Sequence, residues 1–380
     1  MTIKSLLIGA AGALAFTGAA QAADLPAPEP VDYVRICDAY GSGFYYIPGT
    51  ETCLRVFGRL RVDYRYYGAG DVFGVEDGHW RFRSRAYVRM DSRTSTEYGL
   101  LRTYADLWFT VDEDDHYNVD SQWAHIYRAF IQFGGLTAGR TASFFDPGVG
   151  STLWAVTGPA TSDTEMNVLA YTASFGNGMS ASLSLESGAN RRAGWPGTHA
   201  AYAEFPDLVA NIRIDQGWGS AMIGAIIHDA VVDTGWGINA TISGRLPTGT
   251  SAFLSAAWAD GVVSAVIPYW QYGNVVGAPL RDFLGGGTVE GWSVYGGLSH
   301  AFTPMVSAGI AASYASLEWT TGGGNAREYN RLDIQGVVTW RPASGFAISA
   351  EVDYRDEERK AFRTRSADGW VGVFRLQRDF

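Results

Sequence analysis

The sequence predicts an all-β fold, specifically a 16-stranded antiparallel transmembrane β-barrel with short periplasmic turns and long outer loops. Three observations predict it: an apolar strand at the end of the chain, a secretory leader at its start, and strand-like alternation between them. The composition agrees, because 47 glycines, 20 tyrosines and 13 tryptophans accompany only 18% charged residues. Such a composition suits many short strands joined by tight turns and loops.

The final strand has one apolar face. Trp370, Phe374, Leu376 and Phe380 share one parity in the run that ends the chain, so they point to one side of a strand. A soluble domain seldom ends on such a strand, whereas a membrane barrel closes by pairing its last strand with its first. We therefore predict that Phe380 belongs to the assembly signal read by the barrel insertion machinery.

The start of the chain is typical of a secretory signal peptide. Lys4 supplies a positive charge, residues 6–20 form an apolar run, and an A-x-A cleavage site ends at Ala22. A retained anchor helix is the alternative, but the run is shorter than the roughly 20 residues that a membrane span needs. The predicted organisation is a signal peptide over residues 1–22, a periplasmic N-terminal segment over residues 23–52 and a barrel over residues 53–380.

Two cysteines, Cys37 and Cys53, lie close together in the sequence. An exported chain meets an oxidising periplasm, where such cysteines pair, so we predict a disulfide between them. Closing a loop of this size contributes about 3 kcal/mol in the chain-entropy model. The alternative is a pair of buried thiols, since the spacing does not match a metal site.

From Cys53 onward the chain repeats a pattern of alternating segments joined in turn by a tight turn and a longer polar loop. This is the pattern of a barrel whose hairpins turn in the periplasm, and seven hairpins plus the first and last strands give 16. The predicted tight turns are residues 91–95, 134–135, 176–178, 217–219, 247–250, 303–304 and 342–345. The predicted strands are residues 53–67, 79–91, 96–111, 122–134, 135–145, 168–176, 178–187, 207–216, 220–230, 236–246, 251–260, 291–302, 305–318, 330–341, 345–356 and 369–380.

The two faces of the first two strands differ in polarity. Arg59, Arg61, Asp63 and Arg65 alternate with apolar residues in the first strand, and arginines do the same over residues 81–89 of the second. An arginine that faces lipid near the midplane costs roughly 2–4 kcal/mol, so these rows must face a wet interior. About 16 strands leave an aqueous channel. The alternative is the solvated face of a soluble sandwich.

One outer segment, residues 144–167, is too long and too apolar for a simple hairpin loop. If it folds into the barrel, Leu153, Trp154 and Val156 pack on the wall, and its carboxylates face arginines across a narrow passage. Such a transverse field orients water and small polar solutes and disfavours apolar ones. The alternative is that the arginines only pair with strand carboxylates. The predicted acidic side is Asp146, Asp163 and Glu165, and the predicted basic side is Arg61, Arg83, Arg85, Arg102, Arg128 and Arg140.

Several segments resemble the alphaproteobacterial general porins: YVRICDAYG at residues 33–41, YIPGTETCLR at residues 46–55 and FIQFGG at residues 130–135. The likeness covers essentially the mature chain. It implies a sixteen-stranded homotrimer of the outer membrane whose third outer loop, here residues 146–167, folds inward and narrows the pore. In that family, arginines of the constriction match Arg128 and Arg140.

These features predict a general diffusion porin, a passive outer-membrane channel for ions and small hydrophilic solutes, and not an enzyme. The predicted partners are outer-membrane lipid and lipopolysaccharide, the insertion machinery and the solutes, while a net charge of −10 argues against nucleic acid. No cofactor or metal is expected, because the six histidines lack H-x3-H or HExxH spacing. Two alternatives remain: a solute-selective channel whose residues 260–290 form a binding site, and an adhesive protein whose outer loops bind host or phage surfaces.

Overall fold

Sixteen long strands dominate the computed structural model, which describes residues 35–68, 78–114, 119–192, 204–230, 233–268, 280–284, 286–320, 322–360 and 364–380. The strands are β1 (Cys53–Tyr67), β2 (His79–Thr96), β3 (Gly99–Asp114), β4 (Val119–Phe133), β5 (Leu136–Ala142), β6 (Glu165–Gly176), β7 (Met179–Glu186), β8 (Asp207–Gln216), β9 (Gly219–Asp229), β10 (Thr234–Arg245), β11 (Thr250–Asp260), β12 (Glu290–Ala301), β13 (Val306–Thr320), β14 (Ala326–Ala343), β15 (Phe346–Lys360) and β16 (Thr364–Asp379).

The sheet closes on itself. Each strand pairs antiparallel with the next, and β16 pairs with β1 over a register that runs from Val371↔Tyr67 to Asp379↔Arg59. Closure satisfies the edge hydrogen bonds that a bilayer could not satisfy. The predicted 16-stranded antiparallel barrel is therefore confirmed.

Every predicted strand is present, but the first predicted turn is wrong. Instead of turning at residues 91–95, β2 continues to Thr96 and pairs with β3 as far as Thr96↔Gly99. The tight turn is Glu97–Tyr98. Asp91 is buried on the inner face, where it pairs with an arginine of β3. The polarity of this segment thus reflects the wet interior and does not mark a turn.

The two faces of the barrel separate as the alternation predicts. On β1, the side chains of Val56 and Leu60 are 53% and 48% exposed, whereas those of Asp63 and Arg65 are buried inside. Lipid-facing positions are apolar and inward-facing positions are charged, as in membrane barrels with a wet interior. Across the described ranges, no helix is long and apolar enough to cross a membrane.

The N-terminal segment is joined to the barrel by the predicted disulfide. Cys37 and Cys53 are bonded with their Cα atoms 6.0 Å apart, which confirms the pairing. Both are buried against Phe44, whose ring lies 4.9 Å from the Arg93 guanidinium carbon. This segment therefore lies at the periplasmic end of β1 and β2. Residues 1–34, which contain the predicted signal peptide, lie outside the described residues.

The C-terminal residue closes the barrel next to a glycine. Phe380 exchanges two backbone hydrogen bonds with Gly58 of β1, at 2.8 and 3.1 Å. A Cβ atom at Gly58 would lie 2.8 Å from the Phe380 ring and 2.6 Å from the Tyr87 carbonyl oxygen. Only glycine leaves room for the terminal ring at this seam.

Deleting Phe380, or substituting Gly58→Val, should lower the yield of folded barrel several-fold. Each change removes or distorts the two seam hydrogen bonds, which contribute about 1 kcal/mol each. The measurement is the fraction of protein that acquires β-sheet circular dichroism and inserts into membranes. Phe302→Ala, which truncates an exposed aromatic residue in a periplasmic turn away from this seam, is the control. Wild-type yield from the Phe380 deletion would contradict the assembly role.

Candidate functional site: a lumen crossed by an inward loop

The loop between β5 and β6, residues 143–164, crosses the lumen; we name it L3. Its Ser151 hydroxyl donates to the Ile310 carbonyl oxygen at 2.7 Å, and its Ala160 N–H donates to the Ser313 hydroxyl at 2.8 Å. Both acceptors belong to β13, on the side of the barrel opposite the loop's own strands. The predicted inward fold of this loop is confirmed.

A buried carboxylate of β15 holds the middle of L3. Glu351 accepts the Leu153 N–H at 2.5 Å and the Ala155 N–H at 3.2 Å, and its side chain is 1% exposed. Hydrogen bonds to a carboxylate are stronger than neutral ones. Backbone donors that would be costly to leave unpaired are thereby satisfied.

Charged side chains of β14 and β15 hold the next part of the loop. Arg331 and Arg355 both donate to the Gly158 carbonyl oxygen, the second at 3.2 Å. Both guanidinium groups are kept in place by Asp333, whose carboxylate lies 2.7 Å from each. The Gln335 amide adds a hydrogen bond of 2.8 Å to the Thr157 carbonyl oxygen.

The apolar side chains of L3 pack on the wall as predicted. Leu153 and Val156 lie against a buried cluster that contains Tyr67 and Val371, at the seam of β1 and β16. Trp154 donates from Nε1 to the Tyr295 hydroxyl at 3.2 Å. Burial of these groups explains why an outer loop can carry so much apolar surface.

Asp146 ties the two arms of L3 together at its neck. Its carboxyl accepts from the Ser162 hydroxyl at 2.5 Å and from the Thr164 N–H at 2.8 Å. Burial raises the pKa of the Asp146 carboxyl to about 7. The Asp146 carboxyl therefore stabilises the conformation of L3 through these hydrogen bonds within the loop.

A second segment fills part of the outer mouth. Residues 262–267, which follow β11, are buried together with Phe145 and Ala160 of L3 and with Leu317 of the wall. Asp282 accepts the Val263 N–H at 2.8 Å and thereby fixes this segment. The apolar packing narrows the outer mouth beside β8–β14. The predicted solute site of the alternative channel spans residues 260–290, of which residues 269–279 and 285 lie outside the described residues.

The basic wall lies on β1–β4, and a β-bulge shapes it. The register shifts between Asp106↔Arg128 and Leu107↔Ile126, which leaves Tyr127 as an extra residue on β4. Tyr127 stacks on Trp108 with ring centroids 3.8 Å apart, and Arg128 also faces inward. A bulge re-aims side chains, so two consecutive residues line the lumen.

Glu165 of the predicted acidic side lies at the end of L3 beside this bulge. One of its carboxylate oxygens is 3.8 Å from an Arg128 terminal nitrogen. Arg140 of β5 donates from Nε to the Ile126 carbonyl oxygen at 3.0 Å. Asp163 is half-buried next to the neck of the loop. The structure thus brings Arg128, Arg140 and Glu165 into one region.

Arg61 and Arg85 lie directly opposite each other on β1 and β2. Arg83, one rung away, binds the Asp112 carboxylate of β3 through two hydrogen bonds of 2.5 Å. These three predicted residues all face the lumen.

Arg102 lies apart from the other predicted arginines. It binds Asp91 at 2.9 and 3.0 Å, near the periplasmic turn, and its strand partner is Arg93. Eight residues along β2 separate Arg93 from Arg85, which corresponds to roughly 26 Å. The structure therefore does not bring Arg102 to the region where L3 meets the basic wall.

Sequence reasoning missed the residues that hold L3 on the far wall: Arg331, Asp333, Gln335, Glu351 and Arg355. A signal was present, because charged residues of one parity recur in β14 and β15 as they do in β1 and β2. Applied there, the same reasoning would have marked a second charged inner face.

A closed barrel with an apolar outer belt, charged inner walls and a loop folded across its lumen defines a channel of the outer membrane. The chain matches the model of the family described as "Porin subfamily" over residues 24–373, and it belongs to this family. Porin Omp2b of Brucella abortus is 31% identical over 401 residues, which cover 100% of both chains. The protein is therefore an outer-membrane diffusion channel.

Solved structures share the fold at lower identity. The outer membrane channel DcaP of Acinetobacter baumannii superimposes with a TM-score of 0.68 and 17% identity, over 88% of this chain and 99% of that one. The trimer form of OmpT from Vibrio cholerae has a TM-score of 0.50 and 10% identity, over 87% of this chain and 100% of that one. These similarities support the porin fold.

Proposed function

We propose that ions and small hydrophilic solutes pass passively between L3 and the inner wall of β1–β5. The observation that carries this proposal is the path of L3, which is bonded to β13–β15 on one side and leaves the basic wall on the other. The apolar packing beside β8–β14 confines the outer entrance to the same side.

The proposed constriction consists of Arg61, Arg85, Arg128 and Arg140 on the wall and Glu165 at the end of L3. Separated charges of opposite sign create a transverse field in a narrow wet passage. Polar solutes align with this field, whereas apolar solutes must displace ordered water. Asp146 contributes to the constriction indirectly, because its carboxyl accepts hydrogen bonds from Ser162 and Thr164 and thereby stabilises the neck of L3.

We further propose that the protein assembles as a homotrimer in contact with outer-membrane lipid and lipopolysaccharide. OmpT, described in a trimer form, shares the fold. Cleavage of a signal peptide after Ala22 and recognition by the insertion machinery belong to the same proposal. No catalytic role is assigned to any residue.

Reconstitution into planar bilayers tests the channel. Folded protein should produce stable conductance steps that occur in groups of three, and the current should rise in proportion to salt concentration without saturating. A channel that selects one solute through residues 260–290 would instead be blocked by that solute alone, and removal of this loop would abolish the block. Absence of any conductance from correctly folded protein would contradict the proposal.

A further inference from the structure

The arginines of the basic wall form a ladder in which most rungs are neutralised by carboxylates. Arg65 and Arg375 bind Asp63, with hydrogen bonds of 2.6 to 3.0 Å. Arg89 donates to Asp106 at 2.8 Å. In each of these pairings a carboxylate balances the charge of the arginine and accepts its hydrogen bond, which a buried charge requires.

The rung formed by Arg61 and Arg85 is different. The nearest carboxylate to Arg61 is Asp63, at 3.6 Å, and that carboxylate already accepts three hydrogen bonds from other arginines. The Nε of Arg61 is buried without a hydrogen-bond partner. Arg85 donates from Nε to the Thr110 hydroxyl at 2.8 Å, and within the described part of the chain it forms no ion pair.

Two like charges directly opposite each other on neighbouring strands destabilise a sheet. Arg61 and Arg85 are such a pair, and the charges of Arg375 and Arg83 act on them in addition. Asp63 is shared among Arg61, Arg65 and Arg375, and Arg85 has no carboxylate of its own within the described residues. An arrangement that costs stability and leaves positive charge in excess points to a function for the charge itself.

Aromatic rings hold both guanidinium groups in defined orientations. The Arg61 guanidinium carbon lies 5.6 Å from the centre of the Tyr87 ring, and that of Arg85 lies 4.6 Å from the centre of the Trp108 ring. Trp108 is fixed in turn by stacking on Tyr127 and by its 2.9 Å hydrogen bond to Asp106. Ordered guanidinium groups lose little freedom when a ligand binds.

We infer that Arg61 and Arg85 form a binding site for small oxyanions, carboxylates and phosphates, at which such solutes pause while they cross the channel. This inference rests on the proposed passage along the basic wall. Two guanidinium groups offer paired N–H donors that match the oxygens of carboxylate and phosphate, whereas chloride can use only their charge. The site favours oxyanions over chloride for this reason.

The experiment measures chloride current through single channels at constant ionic strength while inorganic phosphate or acetate replaces part of the chloride. In the wild-type protein both oxyanions should reduce the current with a saturable dependence. In R61Q/R85Q the half-blocking concentration should rise about tenfold, since two charge-assisted interactions are lost. A stronger effect of one oxyanion identifies which of the two the site prefers.

A second variant separates hydrogen-bond recognition from charge. R61K/R85K keeps both positive charges but loses the planar donor fork, so the reversal potential in a KCl gradient should stay near the wild-type value while block by oxyanions weakens several-fold. R213Q/D215N removes an ion pair of β8, on the other side of the barrel, without changing the net charge, and it should leave the block unchanged.

Binding of inorganic phosphate to the detergent-solubilised protein, followed by calorimetry, tests the same site without any current. Wild-type protein that conducts but neither binds phosphate nor shows block overturns the inference, as does equal block in wild-type protein and R61Q/R85Q. Protein that binds phosphate but does not conduct overturns the proposed channel and leaves the site standing.

Discussion

Removing the middle of L3 should raise the single-channel conductance about two- to threefold, because this segment is what narrows an otherwise wide barrel. The variant replaces residues 149–158 by a short glycine–serine link. Asp146 holds Ser162 and Thr164 across the neck, so a short link can join the two ends. Single-channel recording in planar bilayers measures the result.

A substitution that loosens L3 without shortening it gives a second measure of the same effect. Glu351→Gln removes the charge that accepts the Leu153 and Ala155 N–H groups, and we expect larger current fluctuations with little change in mean conductance. Glu328→Gln is the control, since this carboxylate pairs with Lys360 at the exposed outer rim, where ion pairs contribute little. Wild-type conductance after removal of residues 149–158 would show that L3 does not form the constriction.

Neutralising Arg128 and Arg140 together should shift the ion preference toward cations by about fivefold in the permeability ratio. The substitutions R128Q/R140Q remove two positive charges and leave the nearby Glu165 carboxylate without its 3.8 Å partner. For two partly solvated charges we expect the free-energy difference between anion and cation passage to change by roughly 1 kcal/mol in total, which corresponds to this change in the permeability ratio. The reversal potential in a salt gradient measures it.

R213Q/R245Q is the matched control for this change in charge. It also removes two arginines, but both lie near the periplasmic ends of their strands, away from L3. The reversal potential of this control should remain close to that of the wild-type protein, because salt screens charges beyond about 10 Å. An unchanged reversal potential in R128Q/R140Q would remove both residues from the constriction.

Local alternation was enough to predict the strands. All sixteen segments were found, with the exact bounds for β1 and β8, because a side chain in a barrel strand meets either lipid or water. The same reasoning predicted the inward arginine rows from residues 59–65 and 81–89. It does not hold at residues 91–95, where the polar residues face the wet lumen from inside a strand and do not form a turn.

The sequence by itself therefore determined the barrel and the family, since these follow from parity and short motifs, and it predicts a secretory leader from the composition of residues 1–22. Tertiary structure alone decided which groups meet inside. The register of the strands places Arg85 opposite Arg61 and puts Arg102 far from both of them along the barrel. One β-bulge turns both Tyr127 and Arg128 inward. Hydrogen bonds from L3 to Glu351 join residues about 200 positions apart. The local sequence pattern predicts which face of the strand a residue occupies. Which side chain it contacts across the lumen is decided only when the sheet closes into a barrel.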